Sequence, residues 1–157
     1  MKKILLTLLL FSSIFAQANR ILTLAPTAQT SSIGNVMLPM MNPARNLFDK
    51  DHFSFSRVNW MTNIVDDMSY NFINFDRGQY GLNVLFFNYG EQNQSDEFGI
   101  IQNQFTPLSA VYSFSYARKV DKYNLGLDAK LITHDLHTQS AKGLVLGVGG
   151  YFPKVYK

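Results

Sequence analysis

The stretch "SFSYARKVDKYNLGLDAKLI", Ser113 to Ile132, decides the fold. Phe114 and Tyr116 alternate with Ser113 and Ser115, and Tyr123, Leu125, Leu127, Ala129 and Leu131 alternate with Asn124, Gly126, Asp128 and Lys130. A basic, polar break at Arg118–Lys122 divides the two runs. Side chains of a strand point alternately to its two faces, so this is a hairpin with one bulky apolar face and one small or polar face. In a sheet surrounded by water the apolar face meets a core. In an outer-membrane barrel it meets lipid, and the polar face looks into the lumen.

The rest of the chain bears on that choice. Met1-Lys2-Lys3, the apolar run Ile4 to Phe15 and the A-x-A triplet Ala16-Gln17-Ala18 have the order of a secretory signal peptide, with a core too short to span a bilayer. Residues 1–18 are therefore expected to be cleaved, and no cysteine follows to carry a lipoprotein anchor. Removal of Lys2 and Lys3 lowers the formal charge from +3 to +1, and no basic cluster remains to suggest nucleic acid. The absence of cysteine excludes a disulfide framework. Phe, Tyr and Trp number 22, against only 16% charged residues. An aromatic-rich, charge-poor exported chain without a run of about 18 apolar residues fits a membrane barrel or a secreted sandwich.

Residues 19–51 are irregular, with Pro26, Pro39 and Pro43 interrupting short apolar groups, and read as a plug or hatch-like segment. From residue 52 to 157 period-two runs dominate. Phe53 and Phe55 oppose Ser54 and Ser56; Met68, Tyr70 and Phe72 oppose Ser69 and Asn71; Tyr80, Leu82, Val84 and Phe86 share a parity that Leu85 and Phe87 blur. Leu108, Ala110, Tyr112, Phe114 and Tyr116 form another apolar row, and Leu144, Leu146 and Val148 oppose Gly143, Gly147 and Gly149. The fold class expected is all-β: an antiparallel outer-membrane barrel, of which about six long strands are present. Strands of about 9–12 residues suit a tilted bilayer crossing better than the usual 5–6.

Asp76–Gln79 and Val120–Lys122 read as tight turns, Thr62–Val65 and His134–Ala141 as intermediate connections, and Gly90–Pro107 as one long excursion with a local turn at Asp96-Glu97-Phe98-Gly99. That puts both tight turns on one side, as barrels do. Six strands fall short of the roughly eight of the smallest single-chain barrels. The chain therefore reads as the N-terminal part of a barrel, with an assembly of several chains as the alternative.

No chemistry stands out. His134, Asp135 and His137 are the only metal-like cluster, and they read as a solvated loop. Asp66-Asp67 and Asp96-Glu97 supply too few oxygens for Ca²⁺. Gly147–Gly150 lie inside a strand, where glycine makes room for a plug or for curvature, and not before a helix that could hold phosphate. Asp128 and Lys130 share a face, where a pair across the lumen is expected. No nucleophile, base and orienting acid occur together, so neither an enzyme nor a cofactor is expected.

In order along the chain, "LAPTAQTSSIGNVML", "NPARNLF", "FSFSRVNW", "NYG", "DEFG", the hairpin quoted above and "GYFP" resemble the PorV/PorQ family, with the PorQ type the nearer pattern. These are FadL-like outer-membrane barrels of the type IX secretion system. The resemblance implies an outer-membrane location, lipid and other secretion or surface-attachment proteins as partners, and Asn42, Pro43 and Ala44 as the family motif. Asp96, Glu97, Phe98 and Gly99 are the candidate partner-binding loop. Proline also fixes its own φ and pushes Asn42 toward extended backbone, which makes a rigid corner. A FadL-like transporter of hydrophobic solutes and a secreted β-sandwich or adhesin are the alternative functions.

Overall fold

A computed structural model describes residues 42–48, 51–60, 67–95, 97–136 and 139–152. The signal segment 1–18, most of the plug segment, and the single residues Asp66, Asp96 and His137 lie outside the described residues. Among the described residues every regular element but one is a strand. The exception is a 3-10 helix of a single turn or so, Pro43–Leu47. The strands are β1 (His52–Asn59), β2 (Met68–Arg77), β3 (Tyr80–Tyr89), β4 (Gln92–Ser95), β5 (Ile101–Phe105), β6 (Leu108–Val120), β7 (Tyr123–Asp135) and β8 (Ser140–Tyr151).

Six of them form one antiparallel sheet in the order β1-β2-β3-β6-β7-β8, and β4 pairs only with β5. The sheet is open, with β1 and β8 at its edges. The expected six strands are all present, at 8 to 13 residues. The Gly90–Pro107 stretch is a single excursion, because β3 and β6 are direct neighbours and β4–β5 is a side hairpin between them. Tyr89 N donates to the Pro107 carbonyl at 3.1 Å and closes its base. The β2–β3 and β6–β7 connections are two-residue turns at one end of the sheet. Gly78 and Asp121 take φ of 59° and 54° there, the left-handed backbone that hairpin turns require and that Gly and Asp tolerate. The connection expected over His134–Ala141 is shorter: both residues belong to the β7–β8 ladder, and only 136–139 link the strands.

Parity divides the sheet into two faces. The outer face carries Phe53 and Phe55, Ile73 and Phe75, Tyr80, Leu82 and Val84, Tyr112, Phe114 and Tyr116, Leu125, Leu127 and Leu131, then Leu144, Leu146 and Val148, each opposite its neighbour in the register. These residues are largely exposed: Phe114 by 53% and Leu146 by 76%. The inner face is the buried one. There Ser113 is 1% and Ser115 0% exposed. Toward the tight turns, small polar residues inside and large apolar ones outside reverse the arrangement of a protein folded around a dry core.

In two strands the expected parities hold, but large apolar residues also occupy the inner face. Tyr70 and Phe72 point inward, while the outward parity of β2 is Asn71, Ile73 and Phe75. Leu85 and Phe87 also point inward, and together with Val111 and Ile132 they make a buried apolar cluster flanked by Val58, Met68 and Tyr89. Toward the loop end, the central strands are apolar on both faces. That is why Leu85 and Phe87 blur the pattern: they form a second apolar row of their own.

Candidate functional site

The inner face is built in two halves. Toward the tight turns it is polar, and the segment Asn42–Phe48 lies on it. Asn42 is extended, with φ −137° and ψ 98°, as the residue before proline should be. Its Oδ1 accepts the Ala44 amide at 3.1 Å, and its Nδ2 donates to the Gly150 carbonyl at 3.3 Å. The expected corner is therefore present, and its role is docking. A side-chain carbon on Gly126 would strike the Pro43 and Ala44 backbone, and one on Gly149 would strike Asn42 and Pro43. Glycines at facing positions of β7 and β8 thus form a seat that the Asn42-Pro43-Ala44 element fills. Asn46 extends the contact: its Nδ2 donates to Ser115 Oγ at 2.9 Å, and Ser115 Oγ donates to the Gly81 carbonyl at 3.2 Å. Phe48 meets Tyr151 edge-on, with ring centroids 4.5 Å apart.

Beside the seat, Lys130 pairs with Asp128 on the inner face, two residues along the same strand. The pair is a neighbour contact along β7, where the sequence left open a contact across a lumen. Asn74 Nδ2 donates to Asn83 Oδ1 at 2.8 Å, and Asn83, Ser113 and Lys130 continue that row across β3, β6 and β7. Asn83 Nδ2 and Ser113 Oγ are buried and have no hydrogen-bond partner among the described residues, which keeps hydrogen-bonding capacity on this row. The other half of the inner face is the apolar cluster. At its rim Ser109 Oγ donates to Tyr89 Oη at 3.3 Å and lies against His134 Nδ1.

His134 and Asp135, read from the sequence as a solvated loop, belong instead to β7, and strand geometry splits them. His134 faces inward to Ser109, and Asp135, the next residue, belongs to the opposite face. Among the described residues no three His, Asp or Glu side chains gather.

On the outer face the tight-turn end carries a belt of rings. Tyr80 lies 5.3 Å from Tyr116 and 6.2 Å from Phe114, and Tyr123 lies 5.2 Å from Phe152. Lys122 sits over the Tyr123 ring. Leu108 to Tyr116 on β6 rises about 27 Å at about 3.4 Å per residue. Among the described residues no helix is long and apolar enough to cross a membrane.

Three of the four residues of the expected partner loop, Glu97, Phe98 and Gly99, sit at the tip of the β4–β5 hairpin; Asp96 lies outside the described residues. Gly99 takes the left-handed φ of 79° that turns the chain, and Phe98 is 80% exposed. The hairpin opposes Asn93 to Gln104 and Gln94 to Asn103, an uncharged amide ladder with an irregularity at Gln94/Ser95.

Compared with known protein families, curated proteins and solved structures, the chain has no match.

Proposed function

We propose that this chain is a non-enzymatic outer-membrane β-barrel protein of the PorV/PorQ type, PorQ in particular, serving protein secretion and surface attachment in a type IX system. One observation carries the membrane part of the reading: a continuous face of exposed large apolar side chains crosses all six strands, while serine, glycine, asparagine and the Asp128–Lys130 pair are on the other. An apolar surface of that extent exceeds what a protein leaves to water and marks contact with lipid or protein. The secretion part rests on the sequence resemblance. In this reading Tyr112, Phe114, Tyr116, Tyr123 and Leu125 hold the sheet in the bilayer, and the β4–β5 hairpin presents Glu97 and Phe98 to a protein partner. Deleting 91–104 is expected to abolish partner pull-down while the chain still pellets with outer membrane and resists carbonate. Pull-down that survives the deletion removes the hairpin from the reading.

A second reading, a FadL-like carrier of hydrophobic solutes, draws on the inner apolar cluster around Phe72, Leu85 and Val111. Uptake of a labelled fatty acid by vesicles holding the protein, in the absence of any captured partner, favours it. Against a secreted sandwich stands the exposure of the ring-bearing face, over which no second sheet packs among the described residues.

A further inference from the structure

The two ends of the sheet differ in charge. Among the described residues of the strands and their connections, the loop end carries Asp67, Glu91, Glu97 and Asp135 against Arg57 and Lys142. The tight-turn end carries Arg77, Arg118, Lys119 and Lys122 against two exposed acids, Asp51 and Asp121, because Asp76 is buried on the inner face. Three of those cations accompany the belt of rings on the outer face. Arg77 is opposite Tyr80 in the register, and Tyr80 is opposite Tyr116, with ring centroids 5.3 Å apart. Arg118 follows Tyr116 by two residues and so shares its face. Lys122 Nζ lies 5.5 Å from the centre of the Tyr123 ring. All three cations are exposed, and none is in an ion pair among the described residues.

We infer that this corner of the outer face, Arg77 and Arg118 around the Tyr80–Tyr116 rings with Lys122 beside them, binds the headgroup of an anionic phospholipid; this rests on the membrane-barrel reading above and adds which lipid the tight-turn end selects. A guanidinium presents a planar fork of donors that fits two phosphate oxygens at once, and an ammonium adds an unoriented charge. Tyrosine rings suit the headgroup level, with an apolar body and a polar tip. Cations spread over a surface for solubility are interspersed with acids. Here they gather at the ring-bearing boundary, and the acids are in excess at the other end. One step further along the same strands, Leu82 and Phe114 are opposite each other on the outer face and half-exposed. An anion joined to long apolar chains complements both parts, the cations with its phosphate and Leu82–Phe114 with its chains. Free phosphate or an acidic peptide complements the cations alone.

The test reconstitutes the full chain into phosphatidylcholine vesicles that hold a trace of spin-labelled phosphatidylglycerol or, in parallel, spin-labelled phosphatidylcholine. Label in contact with the protein is motionally restricted, and the ratio of the two restricted fractions measures the preference. The expected result is a preference for phosphatidylglycerol that falls as salt rises. Arg77→Gln with Arg118→Gln should lower it by up to about five-fold for each charge removed. Both side chains are exposed, so the restricted phosphatidylcholine fraction should stay at its wild-type value and report an inserted protein. Lys142→Gln, toward the other end of the sheet, should leave the preference unchanged. Inorganic phosphate, compared with chloride at equal ionic strength, should not erode it. Erosion by phosphate makes the corner a free-anion site and overturns the proposal. A preference that survives the double substitution overturns it too, as does one that Lys142→Gln lowers equally. Equal restriction of both lipids by the wild-type chain overturns it while the membrane reading stands, and returns the cations to water or to an acidic protein surface. Restriction of neither lipid removes the membrane reading and this proposal with it.

Discussion

Asn42 donates its side-chain amide to the carbonyl of Gly150, 3.3 Å away and 108 positions later in the chain. The bond ties the segment that precedes the sheet to its last strand, at the tight-turn end. It works because the same side chain caps the Ala44 amide through its other atom, which fixes the angle at which Pro43 meets the glycine seat.

Asn42→Asp keeps the cap and loses the donor to Gly150, whereas Asn42→Ala loses both. The first is expected to cost about 1 kcal/mol and the second about 2. Trp60 is the only tryptophan and lies 5.9 Å from Tyr70, so its fluorescence reports denaturant unfolding in lipid vesicles. An Asn42→Asp midpoint equal to that of wild type would remove the Gly150 bond from the account, and equal midpoints for the two variants would remove the cap.

Gly149→Val drives a branched side chain into Asn42 and Pro43, and Gly126→Val drives one into the Pro43–Ala44 backbone. Overpacking of that kind costs about 1–3 kcal/mol or expels the turn. Gly143→Val on the same face of β8 meets nothing within 4 Å and is expected to stay within about 0.5 kcal/mol of wild type. If all three behave alike under the same unfolding assay, the seat is not a seat.

Asp128→Asn leaves the Lys130 ammonium on the inner face without its counter-ion. Removing one partner of a buried pair costs about 3–5 kcal/mol, while replacing both by apolar residues of similar size is near neutral. Asp128→Leu with Lys130→Met should therefore be more stable than Asp128→Asn. The order of their unfolding midpoints checks it.

Leu146→Arg puts a cation at mid-height of the outer face, opposite Ala129. If that face meets hydrocarbon, the cost in a bilayer is about 2–4 kcal/mol. If it meets water, an arginine at a site 76% exposed costs little. Membrane-partitioned fraction and vesicle unfolding separate the two outcomes.

The hairpin of β6 and β7 was legible because aromatic and aliphatic residues alternate there with Ser, Gly and Asp over two full strands. The parity of β2 was not. Met68, Tyr70 and Phe72 form one apolar row and Ile73 and Phe75 the other, and a single sequence does not say which row lies inside when both are bulky. Register against Leu85 and Phe87 decides it, and that is a contact between strands. β4 left no signal because Gln92-Asn93-Gln94 carries no apolar contrast, so only the turn that follows it was visible. At the candidate site, proline marked the Asn42 corner, and the strand glycines hinted at a close approach. Nothing local linked the two, because the seat for Pro43 belongs to residues 126 and 149. The metal-like look of His134 and Asp135 dissolved for the opposite reason: adjacency in a strand means separation in space.

The long reach of the Asn42 contact also orders events in time. The turn that begins at Asn42 has no resting place until β7 and β8 have been laid down, more than a hundred residues afterwards. Contacts between such distant partners slow folding, since a large loop must close before they repay it. Docking of this turn therefore belongs among the last steps of maturation, and a protease that cuts just before Asn42 should work fastest on newly delivered chains.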